Sequence, residues 1–303
     1  PYRILAVTFT NKAATELRER CENLLNNAGM SDGLQVRTFH SFCSQLLRQY
    51  GTRIGLEHGF SIYDSDDQLR LIRNILKEIG IDTKKNSPRA ILSVISDSKN
   101  MMIDGSHYKA SPSSYFEEII ERCFPIYEQR LKDANAVDFD DLLLLAHQIL
   151  ETNLDILDIL RQRYEHLLID EFQDTNLAQY TLLQLLAGSH RQLFVVGDPD
   201  QSIYRWRGAD YRNVRRFQQD YPEAIVVLLE QNYRSTQTIL DAANRLIAKN
   251  NERMGDHATS IAEQVVYLVT GETPDEQRPK QDKTSTDLGV APEGSYVENS
   301  KDA

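Results

Sequence analysis

Short apolar runs that lead into helical patterns mark the two outer parts of the chain. Residues 4–9 form an unbroken run rich in strand-favouring side chains, which is typical of a strand buried on both faces. Apolar residues then recur at helical spacing, namely Ala14, Leu17, Cys21, Leu24 and Leu25. A strand followed directly by a helix is the repeating unit of a parallel α/β sheet, so we expect such a sheet here.

The same reasoning predicts further units of this kind. We expect strands at residues 34–39, 166–170, 192–196 and 225–229 and helices at residues 41–50 and 178–186. Ser235 can cap a final helix that carries Ile239, Ala243 and Leu246.

The middle of the chain has a different pattern, because helical spacing dominates from residue 65 to about 153. Ser65 and Gln68 form a capping-box pattern, and later helices are expected at 88–102, 113–134 and 139–151. Asp138, Asp140 and Asp141 suit a helix N-terminus, where acids favour the macrodipole, better than a metal site. The helical block therefore splits the α/β pattern, and we expect the outer parts to share one sheet.

A domain division follows from these patterns. We expect residues 1–60 and 164–223 to form the two parts of a sheet domain, 61–163 a helical insertion and 224–262 a further strand and helix. The tail, residues 263–303, is rich in Pro, Glu, Gln, Lys, Asp and Ser, a composition that predicts disorder.

Composition narrows the class of protein without naming a partner. The net charge of −11 argues weakly against nucleic acid, although a basic stripe can lie on an acidic protein. No apolar stretch reaches the ~18 residues of a membrane span and no signal peptide opens the chain, so we expect a cytoplasmic protein. Three scattered cysteines predict reduced thiols and no zinc site. The first residue is Pro1, which fits either a processed N-terminus or a partial sequence.

An apolar strand that ends in two acids is the first pattern with chemical meaning. Residues 167–169 are Leu-Leu-Ile, and Asp170 and Glu171 follow them. This is the Walker B arrangement, in which Asp170 can hold Mg²⁺ and Glu171 can orient or deprotonate an attacking water. The alternative is a strand that runs into an acidic loop.

Six segments occur in a fixed order along the chain. They are TFTNKAA at 8–14, TFHS at 38–41, NAVDFDDLL at 135–143, DEFQDTN at 170–176, VGDPDQSIYRWRGA at 196–209 and QNYRST at 231–236. Together they resemble motifs Ia and Ib, the block before motif II, and motifs II, III and IV of the UvrD/PcrA/Rep family of superfamily 1 DNA helicases. The resemblance covers residues 4–250 and implies a RecA-like P-loop NTPase sheet with an all-helical inserted domain.

The resemblance also implies a role for each matched residue. Asp170 would hold Mg²⁺, Glu171 would act on the attacking water, and Gln201 would contact the γ-phosphate of ATP or that water. Tyr233 would stack on adenine, and Arg234 would stabilise the γ-phosphate. The residues implied to bind single-stranded DNA are Phe9, Tyr204 and Trp206, by base stacking, and Thr38, His40 and Arg207, by contacts near the backbone or the phosphates.

Simpler interpretations stay open for several of these residues when each is taken alone. Phe9 is typical of a core residue, His40 of a structural histidine and Arg234 of a surface charge at a helix start. Tyr204 and Trp206 alternate with Arg205 and Arg207, a pattern that suits a nucleic-acid surface better than a core.

The resemblance implies ATP-dependent translocation on single-stranded DNA in the 3′-to-5′ direction. It implies ATP and Mg²⁺ as cofactors, and single-stranded and junction DNA with repair or replication proteins as partners. No G-x-x-x-x-G-K-[S/T] segment occurs in the 303 residues, and motifs V and VI are not matched. We therefore expect this chain alone to hydrolyse ATP poorly and to have an incomplete, weakly stable sheet. The alternatives are a non-enzymatic single-stranded DNA-binding protein and the helicase part of a helicase–nuclease.

Overall fold

The structure is a computed structural model of the chain. It describes residues 1–26, 33–188, 190–202, 204, 208–210, 212–233 and 235–247. The chain divides into two compact units, residues 1–224 and 225–303, and each is described by itself. The tail predicted to be disordered lies outside the described residues.

The elements follow one another in an order close to the predicted one. The strands are β1 (Ile4–Thr8), β2 (Gln35–Thr38), β3 (Ser61–Ile62), β4 (Ala136–Val137), β5 (His166–Ile169) and β6 (Leu193–Val195). The helices are α1 (Asn11–Asn26), α2 (Phe39–Tyr50), α3 (Ser65–Glu78), α4 (Pro88–Asn100), α5 (Tyr115–Asp133), α6 (Phe139–Thr152), α7 (Leu154–Arg163), α8 (Leu177–Ala187), α9 (Arg212–Asp220) and α10 (237–247). Short 3-10 helices cover Gly51–Ile54, Phe172–Asp174 and Pro199–Gln201. None of the helices in the described part of the chain is long and apolar enough to cross a membrane.

A four-stranded parallel sheet in the order β2-β1-β5-β6 organises the first unit. Strand β1 lies between β2 and β5, and Leu5 and Val7 are fully buried. A strand with neighbours on both edges and side chains covered on both faces needs an unbroken apolar sequence. The predicted fold class, α/β with a parallel sheet and a helical insertion, is confirmed.

The helical block between the outer parts has its own apolar cluster. Buried side chains of α3, α4 and α5 pack together there, among them Ile72, Ile91 and Phe124. Strands β3 and β4 pair in parallel, with Ser61 opposite Ala136, and so join the residues before α3 to those after α5. In its described residues the block therefore consists of helices, connecting loops and this two-residue strand pair.

Three local predictions differ from the structure. The N-cap of α3 is Asp64 rather than Ser65, since the Asp64 carboxylate accepts hydrogen bonds from the backbone N–H groups of Asp66 and Asp67. Helix α10 starts after Thr236, whose carbonyl accepts from Leu240, so Ser235 lies one residue before the cap. The predicted strand at 225–229 is wrong, because the structure assigns no strand there.

Asp138, Asp140 and Asp141 lie at the N-terminus of α6, as the sequence predicts. Asp138 caps α6, and Asp138 and Asp141 form a reciprocal capping box through their side chains and backbone N–H groups. The sequence did not reveal their cation. Lys99 of α4 is buried, and its Nζ lies 2.7 Å from Asp138 Oδ2 and 2.6 Å from Asp141 Oδ1.

This buried ion cluster also includes an aromatic side chain. The Tyr127 hydroxyl donates to Asp138 Oδ2 at 2.9 Å, and Lys99 Nζ lies 5.1 Å from the Tyr127 ring centroid. Burial alone would lower the pKa of Lys99, but the carboxylates of Asp141 and Asp138 outweigh burial and raise it. The lysine is therefore charged at neutral pH and joins α4 and α5 to the start of α6.

Lys99→Met tests this cluster. The change leaves two buried carboxylates without their cation, so we expect the free energy of unfolding to fall by about 3–5 kcal/mol. Urea denaturation followed by circular dichroism measures the fall. Lys77→Met, at an exposed position on α3, is the matched control and should stay within about 0.5 kcal/mol of the wild type. Equal effects of the two changes would contradict the assignment.

A run of exposed aliphatic residues opens the second unit. Ile225, Val226, Val227, Leu228 and Leu229 are each at least 70% exposed. This run has high strand propensity and no charge, and it pairs with no strand among the described residues. Such a run favours pairing with another chain.

We therefore expect the protein to self-associate through residues 225–229 as its concentration rises. Val227→Lys should reduce this association, because a charge in the middle of the run opposes strand pairing. Sedimentation velocity over a concentration series measures it. Ile159→Lys adds the same charge at an exposed position on α7 and should leave association unchanged. The interpretation fails if both variants associate like the wild type.

Candidate nucleotide and DNA site

The carboxyl ends of the four parallel strands bring most of the described candidate residues to one edge of the sheet. Phe9 follows β1, Thr38 ends β2 and Asp170 follows β5. The segment that carries Gln201 and Tyr204 follows β6. In open parallel sheets, ligands bind at this edge.

The two acids after β5 are fixed by the backbone of neighbouring strands. The Asp170 N–H donates to the Val7 carbonyl at 3.0 Å, and the Phe172 N–H donates to the Val196 carbonyl at 2.9 Å. Between them, Glu171 adopts a left-handed conformation with φ 53° and ψ 43°. This conformation costs a non-glycine residue roughly 1–3 kcal/mol, so the flanking hydrogen bonds hold a strained turn.

Asp170 lies in an environment that disfavours its charge. Its Oδ1 accepts from the Glu171 N–H at 3.1 Å. Burial, followed by the negative charge of Glu171, raises the pKa of Asp170. A nearby cation would offset both effects, as expected for a carboxylate that binds a divalent metal ion.

A buried glutamine joins Glu171 to the segment after β6. Gln173 is 1% exposed, and its Nε2 donates to Glu171 Oε2 at 2.8 Å. Its Oε1 accepts from the Asp198 N–H at 3.0 Å. Gln201 Nε2 in turn donates to Asp198 Oδ2 at 2.6 Å. The four residues thus form a continuous hydrogen-bonded path between two of the predicted ATP-site residues, and this path passes through the backbone of Asp198.

Gln173 lies inside the DEFQDTN segment, but it is not among the residues to which the resemblance gives a role. The available signal was its position two residues after Glu171 and inside that segment, which forms the short 3-10 helix Phe172–Asp174 directly after the strand. Asp198, which the sequence analysis quoted only as part of a segment, was missed in the same way.

Phe9 and Tyr204 come together as an aromatic pair. Their ring centroids are 5.9 Å apart with an interplanar angle of 17°, and both side chains are half-buried. Both residues are implied by the resemblance to stack on bases, and in this structure their rings stack on each other.

Thr38 and His40 are less accessible than a surface that binds DNA would suggest. Thr38 is 8% exposed, and its hydroxyl oxygen caps α2 by accepting from the Ser41 N–H at 3.2 Å. The His40 ring packs edge-on against Phe139, with centroids 6.1 Å apart. Burial lowers the pKa of His40, so the imidazole is neutral at pH 7 and can offer a hydrogen bond but no positive charge.

The remaining candidates are in the second unit or outside the described residues. Tyr233 belongs to the second unit and is 91% exposed. Trp206, Arg207 and Arg234 lie outside the described residues. The structure therefore stacks Phe9 against Tyr204, and it links Glu171, the neighbour of Asp170, to Gln201 through Gln173 and Asp198.

Comparison with known proteins agrees with this geometry. Residues 1–222 match the family model of the UvrD/REP helicase N-terminal domain. The chain belongs to this family. It is 46% identical over 254 residues to the ATP-dependent DNA helicase PcrA of Leuconostoc citreum and 44% identical over 253 residues to that of Bacillus subtilis strain 168. The PcrA helicase of Staphylococcus aureus strain Mu50 is 43% identical over 253 residues.

These matches cover 84% of this chain and 34% of each relative. The chain thus spans about a third of the length of the curated relatives it matches.

The low pKa of His40 gives a prediction for this UvrD/REP-type domain. Because the folded-state pKa lies below the unfolded value of about 6.5, protonation favours unfolding, and stability is lost as pH falls through that value. We expect the fall in unfolding free energy between pH 7.5 and 5.5 to be smaller in His40→Gln than in the wild type. Urea denaturation at each pH measures it. His58→Gln, at an exposed position, is the control, and an unchanged pH dependence in His40→Gln would refute the prediction.

Proposed function

We propose that this chain forms the ATP- and single-stranded DNA-binding part of a DNA helicase that translocates 3′ to 5′. One observation carries the proposal: a single sheet edge holds both the acids linked to Gln201 and the Phe9–Tyr204 pair. One short segment carries both Asp198 and Gln201, which are linked to the acids, and Tyr204, which stacks on Phe9. A change at the acids would therefore reach the base-stacking residues through this segment. Membership of the UvrD/REP helicase family and similarity to PcrA helicases support the same function.

The donor set after β5 fits Mg²⁺. Asp170 Oδ2 makes no hydrogen bond to any described residue, and no group of three His, Cys, Asp or Glu side chains in the described part of the chain could hold a metal by itself. Mg²⁺ suits such a site, because it usually takes one or two carboxylates and completes its shell with water and phosphate oxygens. When bound, it would neutralise charge on the phosphates of ATP. Asp170 would be its ligand.

The other residues of the nucleotide side have roles that follow from their chemistry. Glu171, held by Gln173, would orient a water and accept its proton. Gln201, held by Asp198, would donate to the γ-phosphate or to that water. Tyr233 would stack on the adenine, and Arg234 would pair with the γ-phosphate.

The DNA side would use the aromatic pair. Phe9 and Tyr204, with Trp206, would stack on unpaired bases, and each stacked base contributes roughly 1–3 kcal/mol irrespective of sequence. Thr38 and the neutral imidazole of His40 would form hydrogen bonds to the DNA backbone. Arg207 would place a positive charge near the phosphates. We infer single-stranded and junction DNA as partners, with repair or replication proteins, in the cytoplasm.

We also propose a domain organisation for the chain. Residues 1–60 and 164–223 would form the first motor domain and 61–163 its helical insertion. Residues 224–262 would begin the second motor domain, and residues 263–303 would be a divergent tail.

A second candidate function is single-stranded DNA binding without hydrolysis. The 303 residues contain no G-x-x-x-x-G-K-[S/T] loop, which normally holds the phosphates of ATP with backbone N–H groups. We therefore expect ATP turnover by this chain with single-stranded DNA to stay near background. Turnover at an ordinary helicase rate would overturn that expectation.

The DNA site can be tested with the single tryptophan of the chain, Trp206. An oligothymidine should quench its fluorescence in the absence of nucleotide, because bases stack on this segment. Phe9→Ala should weaken the affinity about 5- to 100-fold, equivalent to the loss of one stacked base. Titration of fluorescence against oligonucleotide gives the Kd.

Two controls sharpen this test. Tyr115→Ala removes an exposed aromatic side chain from α5 and should leave the Kd unchanged. An abasic oligonucleotide of equal length should bind more weakly, since only phosphate contacts remain. The proposal fails if the abasic strand binds as tightly as the oligothymidine, or if Phe9→Ala has no effect.

A further inference from the structure

Gln173 makes two contacts that no other side chain in the described part of the chain makes. Its amide donates to the carboxylate of Glu171, and it accepts from the backbone N–H of Asp198. A carboxylate only accepts and an N–H only donates, so the two contacts together fix the orientation of the amide. A shift of either partner, Glu171 or Asp198, would therefore move the amide and with it the other partner.

The surroundings leave this amide little freedom. Gln173 is almost fully buried, and Gly197 packs directly against it. A Cβ at Gly197 would lie 2.7 Å from Gln173 Oε1, which is too close for a Cβ unless the amide shifts, and 3.2 Å from Gln173 N, which is tighter than most Cβ contacts. The chain thus passes over the amide at a glycine, and Asp198 presents its N–H immediately afterwards.

Glu171 depends on this contact more than an ordinary surface glutamate would. Its backbone is in the left-handed region, and its side chain is exposed. Among the described residues, Gln173 is the side chain that binds its carboxylate. The Asp198 carboxylate accepts a hydrogen bond from the Gln201 amide, and the Asp198 N–H donates to Gln173 Oε1.

We propose that Gln173 is a positioning residue that holds Glu171 and the Gly197–Asp198 turn as one unit, so that the carboxylate of Glu171 and the amide of Gln201 shift together. The inference rests on the proposed function in assigning water activation to Glu171 and phosphate sensing to Gln201. The coupling itself is a property of this chain without nucleotide or DNA.

The experiment measures hydrogen exchange at the Asp198 amide in the whole chain. The Leu167 amide, which donates to the Gln192 carbonyl at 3.0 Å, serves as an internal reference in the sheet. Gln173→Leu removes the acceptor and should lower the protection of Asp198 about ten-fold, the equivalent of one net hydrogen bond. Gln129→Leu, which alters an exposed glutamine of α5 bonded to Asp133, should change neither amide.

A double-mutant cycle with Glu171→Ala separates coupling from simple loss of structure. In the wild-type background, Glu171→Ala frees the Gln173 amide and should lower the protection of Asp198. Gln173→Glu alone should also lower it, because two carboxylates then face each other. Adding Glu171→Ala to Gln173→Glu removes that repulsion while the acceptor remains, so protection should rise.

The sign of the Glu171→Ala effect is therefore the decisive result. Opposite signs in the two backgrounds support coupling through Gln173. The same sign in both, or no effect in either, overturns the proposal. Because neither nucleotide nor DNA is present, failure of Trp206 quenching by DNA would count against the proposed function alone.

Discussion

The parallel pairing of β1 with β5 is the constraint on which the rest of this structure depends. Val7 lies beside Ile169, and the hydrogen bond from Asp170 to the Val7 carbonyl continues the ladder beyond the strand. Closing a loop of about 160 residues costs conformational entropy, and the apolar surface buried by β1 offsets part of that cost. The chain between β1 and β5 must therefore begin and end at neighbouring positions in the sheet. The short β3–β4 pair and the packing of α2 on α6 accomplish this return.

That pairing also determines where chemistry can occur. Parallel neighbours end at the same edge, so the residues after β1, β5 and β6 meet although they are far apart in sequence. The turn after β5 must then change direction within one residue, and Glu171 takes the left-handed backbone that this requires. A site with a strained acid needs support from its neighbours, which the backbone bonds of Asp170 and Phe172 supply.

Sequence reasoning succeeded where the information is local. Strands, helices and the Asp138 cap follow from periodicity and from residues that contact their own neighbours. It failed where the partner is distant: nothing near Lys99 in the sequence indicates a buried cation, because its carboxylates lie 39 and 42 positions away. The run at 225–229 has the composition of a strand, yet a strand also needs a neighbour with which to pair. The resemblance to helicases named Glu171 and Gln201, but only geometry shows the side chains that connect them.

Side-chain amides join the helical insertion to the segment that follows Glu171. Asn100, at the end of α4, donates to Asp140 Oδ1 at 3.2 Å and accepts from the Asn176 side chain at the start of α8. Asn213 binds the carbonyls of Thr175 and Asn176 at 2.9 and 3.1 Å. A buried amide without its hydrogen-bond partner destabilises the fold. These contacts therefore favour a single alignment of the insertion with the segment after Glu171. Apolar packing alone would allow several arrangements of similar energy. The polar contacts therefore contribute more to the uniqueness of this junction than to its stability.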